Sequence, residues 1–321
     1  MSYKKSISFV IPIYFEELVI ETLYKRILNV IKNLEEKFLI EIIFVNDGST
    51  DDSCRLLKNI CNIDPRCKLI DLSRNFGHQL AITAGIDFSI GDAVIVMDGD
   101  LQDPPELVAQ LIAKWEEGFQ VVYAEREARR GEGVFKKVSA HLFYKLLNCL
   151  TDISIPRNVG DFRLMDRVVV DELCKLRESS RYVRGLISWI GFNQCAVTYV
   201  RDPRYAGTTK YSLRKMFQLA FDGIINFSEK PLYLASYIGF LISLASFIWG
   251  LLIVYNYFFG HFTAVWGWSS IMVTILFIGG LQIGFIGLIG QYLGRTYSEV
   301  RRRPLYVIKE KLGFNEANSK P

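Results

Sequence analysis

Short, almost purely apolar runs alternate with longer segments of helical spacing through the first part of the chain. Ser6–Pro12, Glu41–Asn46, Lys68–Leu72, Ala93–Met97 and Gln120–Ala124 read as strands. A strand covered on both faces needs no polar alternation. Between them, Glu17–Glu35 places Leu18, Leu23, Ile27, Val30, Ile31 and Leu34 on one helical face. A second helix is predicted as far as Ile63, with Ser49, Thr50 or Asp51 as its cap. Gln79–Ser89 and Glu106–Trp115 complete the series, the latter opened by Pro105. Such alternation predicts an α/β architecture, a doubly wound parallel sheet flanked by helices. A helix follows at Phe135–Leu150, and the pattern is then less legible as far as Tyr199.

The pattern changes after that. Leu213–Phe227 has apolar residues at helical spacing beside Arg214 and Lys215, which suits either an interfacial helix or an ordinary packed one. From Pro231 to Gly294 there is no Asp, Glu, Lys or Arg. A bilayer crossing needs roughly 20 apolar residues, so this stretch holds two, at Leu232–Phe259 and Ser269–Leu293. A soluble helical pair would keep a polar face. The organisation expected is therefore a catalytic-type α/β domain over 1–211, a juxtamembrane amphipathic helix over 212–230, a transmembrane hairpin over 231–294 and a basic tail over 295–321.

Composition and charge sharpen that picture. Half of the 321 residues are hydrophobic and the net charge is +4. The connection between the spans lacks Lys and Arg, whereas Arg201, Arg204, Lys210, Arg214, Lys215 and Lys230 precede the hairpin and Arg295, Arg301, Arg302 and Arg303 follow it. The positive-inside rule then puts both ends in the cytosol, beside an anionic bilayer surface. Nothing points to nucleic acid. Met1–Tyr14 leads into Glu16-Glu17 without a small-residue cleavage site and reads as a first strand, not a signal peptide. The six cysteines form no Cys-x-x-Cys pair and are expected as reduced thiols.

Candidate chemistry gathers at the strand ends, where open α/β sheets bind ligands. Asp98, Asp100 and Asp103 fall within six residues after the apolar run Ala93–Met97. If the strand continued, Asp98 and Asp100 would share one face, and Gly99 would allow close approach of a ligand. A lone Asp-x-Asp is often only a solvated turn, but hard cations such as Mg²⁺ take carboxylates together with substrate phosphates. Pro12, Tyr14, Glu16 and Glu17 follow the first strand, and Asn46-Asp47-Gly48-Ser49 ends the second. Asp47 is the candidate acceptor for the N–H of a nucleotide base. There is no Gly-x-Gly-x-x-Gly after the first strand and no P-loop, so a dinucleotide cofactor and P-loop chemistry are not expected.

Three segments in this order and spacing, Val10–Tyr14, Val45–Asp51 and Met97–Pro105, resemble glycosyltransferase family 2 and its GT-A fold. Leu72-Ser73-Arg74-Asn75-Phe76-Gly77-His78 resembles the dolichol-phosphate mannose synthase branch, and the two C-terminal spans are most similar to bacterial polyisoprenyl-phosphate glucosyltransferases. The resemblance implies nucleotide-sugar contacts from Pro12, Tyr14, Glu16, Asp47, Ser49, Asp98 and Gln102. It implies a Mg²⁺ or Mn²⁺ site at Asp98, Asp100 and Gln102. It further implies a mobile acceptor loop at Glu125–Lys137, and phosphate grip by Arg126, Arg129, Arg130, Arg204 and Lys210. In Arg204-x-x-Gly207-x-Thr209-Lys210, Thr209 stands where many members have Ser. Asp161 lies where some relatives place a candidate base; His78 is expected to be structural.

The implied reaction is inverting transfer of a hexose to a polyisoprenyl (undecaprenyl) phosphate on the cytoplasmic face of the inner membrane. UDP-glucose is the donor expected from the resemblance; GDP-mannose, UDP-GlcNAc and UDP-aminoarabinose are alternatives. A processive polysaccharide synthase would carry Gln-x-x-Arg-Trp, absent near Arg181–Trp189. A catalytically inactive membrane-anchored scaffold is the non-enzymatic alternative. Glycines at 279, 280, 284, 287 and 290 would allow close helix packing in a homo-oligomer.

Overall fold

The computed structural model describes residues 4–126, 159–179, 181–200, 230–259 and 267–314. Its strands are β1 (Ser6–Ile13), β2 (Leu39–Asn46), β3 (Cys67–Leu72), β4 (Ala93–Val96), β5 (Val121–Arg126), β6 (Val159–Asp166), β7 (Gln194–Tyr199) and β8 (Ile308–Leu312). They form one sheet in the order β7-β5-β6-β4-β1-β2-β3-β8. The central strands β4-β1-β2-β3 are parallel. β6 runs antiparallel between β4 and β5, and β7 lies parallel to β5. The mostly parallel sheet expected from the alternation is present.

Helices α1 (Ile20–Leu34), α2 (Ser53–Ile63), α3 (His78–Asp87) and α4 (Val108–Glu116) connect the early strands, and α5 (Arg167–Lys175) and α6 (Val183–Ile190) follow β6. In α1, Ile20, Leu23, Ile27, Ile31 and Leu34 are buried, and no side chain caps its N-terminus. A missing cap costs about 1 kcal/mol. Each buried aliphatic side chain contributes about 1.5–3 kcal/mol, so packing forms this helix. It starts three residues later than the spacing predicts, which leaves Leu18 76% exposed. The N-cap of α2 is Asp52, without a side-chain cap bond, and not Ser49, Thr50 or Asp51; Asp51, one residue earlier, accepts from the backbone N–H of Ser53 at 3.2 Å.

One face of the sheet packs Phe9, Ile11, Phe44, Ile95 and Phe162 under α1 and α4. On the other, Ile43, Val45, Ile70 and Leu72 meet Ala81 and Ala84 of α3, together with Tyr306, Ile308 and Phe314. Those last three come from the segment expected as a basic tail. β8 pairs antiparallel with β3, and Ser73 donates its backbone N–H to Val307 O at 2.9 Å. The five cysteines among the described residues are free thiols.

The second unit contains α7 (Lys230–Phe259) and α8 (Trp268–Val300). Both are long and apolar enough to cross a membrane. Their large apolar side chains, Tyr237, Phe240, Leu276 and Ile283 among them, are exposed, as lipid-facing residues would be. At 33 residues, α8 is about 50 Å long, longer than a hydrocarbon core, and Arg295 and Glu299 sit in its polar last turns. The helix over Phe135–Leu150, the amphipathic helix over Leu213–Phe227 and the loop joining the spans fall largely outside the described residues, as do Arg129, Arg130, Arg204 and Lys210.

Candidate active site

β1 to β5 and β7 end at one edge of the sheet, and β6 runs the other way, so its first residues lie at that same edge. The loops leaving β1 and β2 are tied to each other. Phe15 donates its N–H to Ser49 Oγ at 3.2 Å, and Glu16 donates to Ser53 Oγ at 3.1 Å. Ser49 in turn donates its own N–H to Asn46 Oδ1 at 3.3 Å. Tyr14 projects there, 47% exposed. The predicted donor contacts Tyr14, Glu16 and Ser49 are thus brought together, with Pro12 below them in β1.

Asp47 is only 3% exposed. Its carboxylate accepts backbone N–H groups from Phe76 at 2.7 Å and Gly77 at 3.0 Å. Burial pushes its pKa up, and those two N–H groups partly offset the effect. Asp47 therefore fixes the loop between β3 and α3. Gly48 next to it has φ +69°, and a Cβ would lie 2.4 Å from the Arg74 carbonyl carbon. Gly48→Ala should lower stability by about 1–3 kcal/mol through strain and overlap, read as a reduced Tm; an unchanged Tm would show that the loop gives way.

β4 stops at Val96, so Asp98 and Asp100 are placed by a turn and not by strand alternation. Leu101 takes φ 58°, and Gln102 donates its N–H to Asp100 Oδ1 at 3.1 Å. A Cβ on Gly99 would meet Ile13 Cδ1 at 2.5 Å and Pro12 O at 3.1 Å. At Gly99 the turn packs closely on β1.

His78, in the first turn of α3, lies between two carboxylates. Its Nε2 is 3.3 Å from Asp98 Oδ1 and 3.1 Å from Asp161 Oδ2. Burial opposes a charge on the ring, but Asp161 and Asp98 outweigh it and raise the pKa to about 10. Asp161, 4% exposed on β6, also accepts from Arg184 Nε at 2.7 Å, Arg184 Nη2 at 2.9 Å and Gln79 Nε2 at 3.2 Å. Burial would raise its pKa, yet Arg184 and His78 hold it well below the usual carboxylate range. A carboxylate gripped in this way is a poor proton acceptor, which argues against Asp161 as a base. Arg126, at the end of β5, donates from Nε to Tyr199 Oη at 3.0 Å and lies 3.5 Å from Asp103.

The profile of glycosyl transferase family 2 matches residues 8–174. This chain is a family 2 glycosyltransferase. It is 51% identical over 314 residues to the uncharacterized glycosyltransferase YkcC of Bacillus subtilis (strain 168), covering 98% of this chain and 96% of that one. It is 41% identical over 306 residues to a prophage bactoprenol glucosyl transferase homolog of Escherichia coli (strain K12), covering 94% and 98%. Among solved structures, a mannosyltransferase from Pyrobaculum calidifontis in complex with GDP-Man and Mn²⁺ has a TM-score of 0.50 at 14% identity, over 70% of this chain and 64% of that one. That likeness speaks for the fold, GT-A, alone.

The family 2 transferase has side chains that fit a hard cation. Asp98 Oδ1 is buried, and the His78 ring nitrogen lies 3.3 Å from it. His78, Asp98 and Asp161 bring ligand-type atoms within 4.8 Å of one another. Asp161 is already satisfied by four donors, from Arg184, Gln79 and His78, which leaves Asp98 as the less engaged carboxylate of this group. Sequence motifs pointed to Asp98, Asp100 and Arg126. They did not single out Arg184, Gln79 or Tyr199, and His78 was expected to be structural. Arg184 sits in a segment whose only notable feature in sequence is a lack of Gln-x-x-Arg-Trp.

Proposed function

We propose that this transferase moves glucose from UDP-glucose to a polyisoprenyl phosphate at the cytoplasmic face of a membrane, with inversion and with Mg²⁺ or Mn²⁺ held by Asp98 and Asp100. The observation that carries this reading is the buried oxygen of Asp98 at the strand edge, grouped with His78 and Asp161, in a chain 41% identical to a bactoprenol glucosyl transferase homolog over 94% of its length. The two apolar helices support a site working at a bilayer, and the basic residues flanking them support cytosolic termini.

A cation bound there would supply charge stabilisation for the departing nucleotide diphosphate. The protein's own groups do the rest. Tyr14, Glu16 and Ser49 line the donor side. Asp47 fixes the loop that delivers His78, and His78 with Arg184 keeps Asp161 ionised. The acceptor is a phosphate monoester with a second pKa of about 6, already an anion near neutral pH, so a strong base is dispensable. Arg126, with Arg129, Arg130, Arg204 and Lys210, would bring the anionic acceptor to the anionic donor by charge and position. One direct displacement inverts the anomeric centre.

Membranes carrying the enzyme, given undecaprenyl phosphate and labelled UDP-glucose, should form a labelled lipid; EDTA should stop this and Mn²⁺ should restore it. GDP-mannose, UDP-GlcNAc and UDP-aminoarabinose serve as parallel donors. Labelling only by one of these would replace the glucose assignment, and no lipid product from any of them would end the reading.

A further inference from the structure

We infer that Tyr199 and Asp103 are positioning residues that set the Arg126 guanidinium for the acceptor phosphate. The inference rests on the role proposed for Arg126. Arg126 ends β5 and its register partner in β7 is Tyr199, so the two side chains leave the sheet together at the substrate edge. The Tyr199 hydroxyl accepts from Arg126 Nε at 3.0 Å and donates to Asp103 Oδ1. Arg126 Nη2 lies 3.5 Å from the same carboxylate oxygen. On the other flank is Gly160, where a Cβ would come within 2.7 Å of that nitrogen. The guanidinium is held by Tyr199 and Asp103, with room left for it by the missing side chain at Gly160, yet the Arg126 side chain is 27% exposed.

Asp103 is the third carboxylate of the loop after β4 and is fully buried. Burying a carboxylate costs several kcal/mol unless it is well paired, and a packed apolar residue there would serve stability at least as well. What the carboxylate adds is orientation. Through Tyr199 it ties the loop bearing Asp98 and Asp100 to the end of β5, so the donor-side carboxylates and the acceptor-side arginine share one rigid mount. The hydroxyl matters because phenylalanine would fill the same space without accepting from Arg126.

The test uses the full chain in membranes, with the undecaprenyl phosphate and nucleotide sugar concentrations varied separately. Arg126→Ala should raise the acceptor KM about tenfold or more. Tyr199→Phe should lower kcat/KM for the acceptor about fivefold to tenfold, the effect of one hydrogen bond to a charged group, with the donor KM within about twofold. The double variant should be no worse than Arg126→Ala alone. A Tyr199→Phe enzyme with wild-type acceptor kinetics overturns the inference even if its Tm falls, as do losses that multiply in the double variant. If Tyr199→Phe fails to fold, Asp103→Asn is read in the same way. If Arg126→Ala itself leaves acceptor kinetics unchanged, its acceptor role falls and this inference with it. If Arg126→Ala is impaired and Tyr199→Phe is not, only the positioning falls.

Discussion

Asp98→Asn should lower turnover by about a thousandfold or more while the protein keeps its Tm within a few degrees. The fold loses little because the one ion pair of Asp98 among the described residues is with the half-exposed His78 ring at 3.3 Å. The chemistry loses much, because removing one preorganised electrostatic group from a reaction site costs roughly 10²–10³ in rate, and a cation ligand set is more demanding still. Asparagine keeps the shape and one oxygen but not the charge. Transfer rates should be measured alongside Mn²⁺ binding to the substrate-free enzyme. A variant that binds Mn²⁺ and transfers sugar like the wild type would remove Asp98 from the site.

Asp161→Ala should instead strike the fold. It leaves the Arg184 guanidinium, now bonded at 2.7 and 2.9 Å, with only the Val159 carbonyl; breaking a buried pair costs about 3–5 kcal/mol, and the 31% exposure of Arg184 reduces that. The loss should depend on pH with a definite sign. Asp161 has its folded pKa depressed, by Arg184 and His78 against burial. Its contribution is therefore present above its unfolded value of about 3.9 and lost as pH falls below it. His78 has its folded pKa raised to about 10, by Asp161 and Asp98 against burial. Its contribution is complete below about 6.5 and fades as pH rises toward 10. The ring is 46% exposed, so water screens the basic limb and makes it the smaller of the two. In the cation-free enzyme, Tm against pH should be flatter for Asp161→Ala than for wild type on both limbs. A uniform drop at every pH would mean that packing, not charge, is what Asp161 supplies. Asp161→Asn adds a catalytic reading: a true base would cost about 10²–10⁴ in kcat, whereas a residue that orients His78 and Arg184 should cost less.

The predicted strands up to β5 agree with the structure to within two residues at their ends, because each is built on a run of mostly apolar, mostly buried side chains. β6, α5, α6, β7 and β8 were not legible. Val159–Asp166 contains Asp161, Arg163 and Asp166, and such a run does not read as a strand until Arg184, His78 and the Gly160 carbonyl are there to satisfy it. Ile308–Leu312 reads Ile-Lys-Glu-Lys-Leu, the composition of a solvated tail. Only the open edge of β3 makes it a strand, with Lys58 reaching Glu310 at 2.6 Å.

From the sequence alone, local chemistry determined the order of strands and helices, the two charge-free spans, and the carboxylates that belong at a strand edge, since each of these depends on neighbours in the chain. Which side chains face one another across that edge is a matter of long-range pairing. His78 meets a residue 83 positions away and Arg126 one 73 positions away. Those partners are set by the antiparallel insertion of β6 and the register of β5 with β7, and no local pattern encodes either.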